Sequence, residues 1–395
     1  MKFSVLIPTR NRLKYLQYAI ETVLKQDYAD WELIVSDNNS SEDIEGYICS
    51  LNDLRIKYYR TDQFVPVTDN WNNALHKSSG EYVIMLGDDD ALMKGYFSAI
   101  ARITEEFNAP DFIYTSSFIY AYPGVIKEFP EGHLWRDCHS ISSSTEPFWI
   151  GRQEALHLVQ SSMNFRMLFP YNMQHSAINR KFIDALKDKG EFFQSPYPDF
   201  YATNVMFLKA KRIVIYQRPL VTIGITQSSY GFFHFNKKEK QGMEFLKNTP
   251  NADSVYQLQH IILPGSKNNT SWLFAMETIK ENYKDEFNLS VNYRRYRYLQ
   301  ILNFYKNYYL DRRLDADELV AFQSKMRLWE KLVYGKSLWL LLSLLRLFPK
   351  AQVDRWISHI RSMIVAQYSP MKAEKSEEMY QSILDVFEKV QSPNH

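Results

Sequence analysis

The strongest constraint on the fold lies in the first hundred residues, where short apolar runs alternate with segments of helical spacing. "FSVLIP" reads as a buried strand closed by Pro8. In "RLKYLQYAIETVLKQ", Leu16, Ile20, Val23 and Leu24 recur at helical spacing. "WELIVSD" is a second strand ending at Asp37, and "NNSSED" is a turn with Ser40 or Ser41 as the expected N-cap. "IKYYRT" is a third strand. "TDNWNNALHKS" is a helix with Thr68 as its expected N-cap, stopped at Ser79-Gly80, and "YVIML" is a fourth strand. This order builds βαβ units, hence an α/β fold on a mainly parallel sheet. Ligands of such sheets bind beyond the carboxyl ends of the strands. Three strand ends carry polar residues: Thr9 to Arg12, Asp37 to Asn39, and Asp88 to Asp90.

The third of these, in "YVIMLGDDDALM", places three carboxylates directly after an apolar run. Adjacent like charges repel, and each loses hydration on approaching a core. A solvated turn with one aspartate capping a following helix is the plain reading. The alternative is a hard divalent cation, Mg²⁺ or Mn²⁺, which takes one or two carboxylates plus phosphate oxygens. Arg10 and Arg12 add charge for a phosphate or a base; their plain reading is solvent-facing residues at a helix start.

From Asp111 to about Gly224 strands and helices continue: "DFIYTSSFIYAY", "GRQEALHLVQSS", "MQHSAINRKFIDALKDKG" ended by Gly190, "PDFYATNVMFLKA" and "RIVIYQRPLVTIG". Gln227 to Lys247 reads as a loop or boundary, and after about Ser254 helical periodicity dominates. The expected division is 1–225, a connecting or site-covering stretch 226–253, and a helical region 254–395.

Composition narrows the function classes. With 47 basic and 45 acidic residues the net charge is +2, so no global field points to nucleic acid. Cys49 and Cys138 make no disulfide framework and no metal-ligand spacing, which fits a reducing compartment. "MKFSVLIPTRNR" lacks the pattern of a signal peptide. "SLWLLLSLLRLF", the longest apolar stretch, falls below the roughly 20 residues of a spanning helix. The 27 Tyr and 25 Phe suit sugar faces and membrane interfaces, and also fill cores.

Four segments in order, "SVLIPTRNR", "WELIVSDNNSSED", "SGEYVIMLGDDDAL" and "PDFYATNVMFLKAKRIVIYQRPLV", resemble family 2 glycosyltransferases of the GT-A fold over roughly the first 220 residues. The resemblance implies a nucleotide-diphosphate sugar donor, a saccharide or polyprenyl-linked acceptor, and inversion assisted by Mn²⁺ or Mg²⁺. Pro8, Thr9 and Arg10 would line the nucleotide pocket, with Arg12 and Asn39 beside them, and Asp37 would bond the base. The triplet would be the DXD-type motif, with Asp88 on the ribose or metal, Asp89 as the best metal ligand and Asp90 supporting metal or sugar. Gly87 stands where relatives often carry the first aspartate. Asp199 would be the general base, in a Pro-Asp pair where many relatives have Glu-Asp; capping its helix is its plain role. Asn172 and His175 would open the acceptor-side strand, and Asn70 and Trp71 would approach the donor, with core packing the stronger reading for Trp71. Arg218 and "GITQSSYGFFHF" would close over the site, with Tyr230, Phe232 and Phe233 stacking on an acceptor sugar.

The C-terminal helices mix Arg and Lys with aromatics, as in "NYRRYRYLQILNFYKNYYLDRR". A bundle against the catalytic domain, a homo-oligomer interface and peripheral contact with the inner face of the cytoplasmic membrane all fit, so the expected location is cytoplasmic. The resemblance places such an enzyme in bacterial surface polysaccharide synthesis (O-antigen, capsule or LPS). Two other readings are a sugar nucleotidyltransferase, disfavoured by "PTRNR" in place of a Gly-rich loop, and a non-catalytic sugar-binding or scaffolding protein on the same fold.

Overall fold

The structure, a computed structural model, describes residues 1–126, 129–136, 141–142, 144–229, 239–245, 247, 252–311, 313–353, 355–356 and 379–390. Cys138, Tyr230, Phe232 and Phe233 lie outside them.

The apolar runs of the first hundred residues become β1 (Phe3–Thr9), β2 (Trp31–Asp37), β3 (Ile56–Arg60) and β4 (Tyr82–Met85), with α1 (Leu13–Leu24), α2 (Ile44–Ser50) and α3 (Val67–His76) between them. The acidic triplet runs into β5 (Ala91–Leu92) and then α4 (Tyr96–Glu106). There follow β6 (Phe112–Ala121), β7 (His133–Arg136), β8 (Phe148–Trp149), α5 (Arg152–Met163), β9 (Ser176–Asn179), α6 (Arg180–Asp184), α7 (Pro198–Lys209) and β10 (Ile213–Ile225).

One sheet holds them in the order β3-β2-β1-β4-β9-β6-β10-β5, with β7 on β6 and β8 on β10. Strands β3, β2, β1 and β4 pair in parallel, as do β6 and β10. β9 runs antiparallel between β4 and β6, so β1 to β4, β6 and β10 share one direction and β5, β7, β8 and β9 oppose it. β1 and β2 are buried on both faces, which is why they read as unbroken apolar runs. Their side chains feed two cores: Val5, Ile7, Leu33 and Val35 on one side, Leu6 and Ile34 on the other.

Three expected caps differ. Asp43, not Ser40 or Ser41, caps α2 by accepting from Gly46 N at 2.9 Å. Ser40 is instead tied to Asp37 at the strand end. α3 starts behind Pro66, and Thr68 Oγ1 donates to Ser195 O at 2.8 Å. Tyr197, not Asp199, is the N-cap of α7, whose first position is Pro198, where a missing N–H costs nothing.

Part of the helical remainder shares a core with the sheet region. In helix Lys267–Asn282, Trp272, Leu273 and Met276 are fully buried in the same cluster as Tyr201, Val205 and Phe207 of α7. Trp272 Nε1 donates to Ser162 O at 2.9 Å, tying that helix to α5. A second cluster joins helix Tyr293–Tyr309 to helix Lys336–Leu345 through Ile301, Phe304, Leu338 and Leu342. Helix Ile383–Lys389 returns to pack against Tyr120 and Tyr122. Within the expected connecting stretch, Glu239–Phe245 is helical.

Candidate active site

The parallel pairing puts the carboxyl ends of β1, β4, β6 and β10 on one edge, where a cleft of about 480 Å³ opens. Leu6 of β1 faces Met85 of β4, and three residues further on Thr9 meets Asp88: Thr9 Oγ1 donates to Asp88 Oδ2 at 2.7 Å. The turn after β1 places Asn11 at φ 52, which bends the chain so that Arg12 points back across the edge.

Arg12 is the hub of the site. Its guanidinium donates to Asp88 Oδ1, to Asp89 Oδ2 at 2.9 Å, to Thr226 Oγ1 at 2.7 Å and to Ser228 Oγ at 3.0 Å. Burial opposes its charge, but Asp88, Asp89 and Asp90 outweigh that and hold the guanidinium protonated. Burial pushes the Asp88 carboxyl up, and Arg12 pulls it back. Asp90 is raised by burial and then by Asp89, against two backbone donors.

Those donors define Asp90. Gly87 N donates to its Oδ2 at 2.9 Å and Gly224 N to its Oδ1 at 2.8 Å, so each oxygen is held by the backbone. The triplet is thus a tight turn that enters β5, and none of its members caps a helix. The turn explains Gly87: a Cβ there would lie 2.4 Å from Asp90 Oδ2. At Gly224 a Cβ would lie 1.8 Å from the Asp89 carbonyl oxygen. The repulsion within the triplet is therefore answered by Arg12 and by backbone N–H groups.

Asp199 enters the same cleft from the first turn of α7. One of its oxygens accepts from Met173 N at 3.0 Å. Burial pushes its carboxyl up to about 7, against the Met173 N–H. A carboxyl so placed takes up and releases a proton near neutrality, the property of a general base.

Pro8, Thr9, Arg10, Arg12, Asp88, Asp89, Asp90 and Asp199 all line the cleft, as do Asn70, Trp71 and Asn172. Asp37 and Asn39 do not. Asp37 is fully buried and accepts from Ser40 N at 2.9 Å and Tyr58 OH at 2.7 Å, which spends it on the loop. His175 is also withdrawn: its Nδ1 lies 3.0 Å from Thr115 O and its ring stacks on Tyr114 at 5.3 Å, so it belongs to the core. Arg218 turns to Thr145 O and Glu146 and leaves the cleft.

The sequence reading missed Phe64, and it named Asn38, Thr226 and Ser228 only as members of a strand-end loop and of the loop "GITQSSYGFFHF". Phe64 lines the cleft with the Arg10 guanidinium 4.0 Å from its ring centroid. A flat ring backed by a cation is a stacking platform for a planar base. It sits in "TDQFVPV", an irregular stretch with no periodicity to mark it.

The triplet is where a divalent cation would sit. Among the described residues no group of three or more His, Cys, Asp or Glu is arranged to hold a metal. Asp89 lines the cleft with Asp88, and the bonds to its carboxylate from Arg12 and Thr226 fall on Oδ2. That suits an ion held by one or two carboxylates and completed by phosphate oxygens.

The family profile described as Glycosyl transferase family 2 matches residues 4–167. The GalNAc(5)-diNAcBac-PP-undecaprenol beta-1,3-glucosyltransferase of Campylobacter jejuni is 37% identical over 139 residues, 34% of this chain and 44% of that protein. The chain thus spans less than half of that relative. The UDP-Glc:alpha-D-GlcNAc-diphosphoundecaprenol beta-1,3-glucosyltransferase WfgD of Escherichia coli is 33% identical over 87 residues, 22% of this chain and 34% of that protein. The crystal structure of Staphylococcus aureus TarS 1-349 superposes with a TM-score of 0.46 at 18% identity, over 78% of this chain and 87% of that one. The matched segment runs from β1 through the triplet to the end of α5, and over it this chain is similar to glycosyltransferase family 2.

Proposed function

We propose that this chain is an inverting glycosyltransferase that moves a sugar from a nucleotide-diphosphate donor to a lipid-linked saccharide. The observation that carries this reading is the convergence of Asp89 and Asp199 on one cleft: an acidic anchor for the donor and a carboxyl titrating near 7 for the acceptor. The base would stack on Phe64 beside Arg10 and Asn38, and Thr9 and Asp88 would face the ribose. Asp89, with Asp88, would hold Mn²⁺ or Mg²⁺, which when bound neutralises charge on the departing diphosphate. Arg12 sits where it would reach the same phosphates.

Asp199, held by Met173 N–H, would take the proton of the acceptor hydroxyl as its oxygen attacks the anomeric carbon. The new C–O bond forms on the face opposite the C–O bond to phosphate that breaks, so the configuration inverts. The nucleoside diphosphate carries away the bonding pair.

The acceptor class is drawn from the two undecaprenol-linked relatives, and WfgD makes uridine diphosphate the first donor nucleotide to try. Peripheral attachment to a membrane follows from such an acceptor; among the described residues no helix is long and apolar enough to cross one. A non-catalytic, sugar-binding reading is favoured by one observation: Arg12 already neutralises Asp88 and Asp89. The test is transfer from a panel of nucleotide sugars with Mn²⁺ to an undecaprenyl-diphosphate saccharide. A product with inverted anomeric configuration, lost in Asp199→Asn, supports the enzyme. Donor binding without transfer to any acceptor of this class supports the second reading.

A further inference from the structure

The segment from Arg327 to Trp356 exposes more apolar surface than any other described part of the chain. Around helix Lys336–Leu345, Leu338 and Leu342 are 5% and 4% exposed and seat it against Ile301 and Phe304. Nearly all the rest of its apolar circumference is bare: Trp339, Leu340, Leu341 and Leu344 are each more than half exposed, and Leu347, just beyond, is 79% exposed. A helix that is apolar all round normally has every face covered. A contiguous exposed apolar face marks an interaction surface.

Among the described residues of this stretch the exposed charges are basic, with Lys350 Nζ 3.8 Å from Asp311 of the preceding turn. Lys331, Lys336, Arg346, Lys350 and Arg355 are exposed. Glu330, the acid described in this stretch, is fully buried and spent on Arg297, whose Nη2 donates to it at 2.7 Å. That pattern chooses among occupants. A two-fold interface with a second copy lays the face on itself and sets these cations against each other. A spanning helix is excluded for the described residues by length and polarity. A bilayer with anionic headgroups fits both parts: leucines and tryptophan enter the acyl boundary, and the basic side chains meet the headgroups.

We infer that the face made by Trp339, Leu340, Leu344, Leu347 and their basic rim docks this chain, lying flat, on an anionic lipid surface. The inference rests on the reading of a lipid-linked acceptor, whose diphosphate lies at the same headgroup level.

The test is flotation of the full chain with phosphatidylcholine vesicles, with and without phosphatidylglycerol, in parallel with nucleotide binding. The chain should float with the anionic vesicles and stay behind with the neutral ones. Leu340→Glu with Leu344→Glu should abolish flotation, and Lys336→Gln with Arg346→Gln should weaken it by about thirtyfold at low salt. Both pairs should keep nucleotide binding, which excludes misfolding as the cause. Equal flotation with neutral vesicles, no flotation, or a dimer that the Leu pair dissolves would overturn the docking surface. Loss of nucleotide binding in the unmodified chain, with flotation intact, would overturn the enzymatic reading and leave the surface standing.

Discussion

Arg12 and Asp88 form a buried ion pair across 76 residues of sequence, with side chains 13% and 4% exposed. The same guanidinium reaches Asp89. The pair is the structural answer to a run of three carboxylates at the end of a buried strand. It also sets what a cation and diphosphate must compete with.

Arg12→Ala should therefore cost stability as well as activity. Removing one partner of a buried pair leaves the others uncompensated, at about 3 kcal/mol, the lower end for buried pairs because the cleft admits water. Urea denaturation at neutral pH measures it. Arg12→Lys should recover only part, since an ammonium lacks the fork that spans Asp88, Asp89 and Thr226.

As the proposed general base, Asp199 would set the pH dependence. With its carboxyl raised by burial to about 7, the ionised base is scarce below that pH. kcat/KM should rise with pH through about 7 and level off above it. Asp199→Asn should lower kcat by about a hundredfold or more and remove that limb.

Gly87 and Gly224 answer to different obstacles, a side-chain oxygen and a backbone carbonyl. Each change to Ala should destabilise by about 3 kcal/mol. In an Asp90→Gly background the penalty of Gly87→Ala should fall, whereas that of Gly224→Ala should persist, because the Asp89 carbonyl remains. A double-mutant cycle by chemical denaturation separates the two.

Glu32 ties β2 to its neighbours. It is almost fully buried, with Lys57 Nζ at 2.7 Å, Lys2 Nζ at 2.9 Å and Ser4 Oγ at 2.7 Å. Burial raises its carboxyl, but those bonds outweigh burial and hold it well below the usual range. A depressed folded value stabilises above the unfolded value of about 4.3 and is lost as pH falls. The gap in urea midpoint between the unmodified chain and Glu32→Gln should be widest at pH 7 and close progressively below about pH 4.

The strands and their polar ends were legible because burial on both faces leaves an unbroken apolar run, as in "FSVLIP" and "WELIVSD". The start of α7 was legible in the Pro198-Asp199 pair. The network of Arg12 was not, since its partners Asp88 and Thr226 lie 76 and 214 residues away and nothing local couples them. Asp37 and His175 show the converse. Their chemistry suits a site, yet Tyr58, Ser40 and Thr115 engage them first. That helix Lys267–Asn282 shares a core with α7 was hidden too, because its buried residues follow ordinary helical spacing and carry no address.

In the proposed site the triplet and a divalent cation together bind a nucleoside diphosphate. Calorimetric titration of the full chain with uridine, guanosine and other nucleoside diphosphates, in Mn²⁺ and then in EDTA, tests it most directly. One nucleotide should bind in Mn²⁺, and that binding should fall at least tenfold in EDTA and in Asp89→Asn, a variant that keeps the volume of the side chain. Binding of equal strength in EDTA, or undiminished in Asp89→Asn, would contradict the claim and leave Arg12 as the group that holds the phosphates.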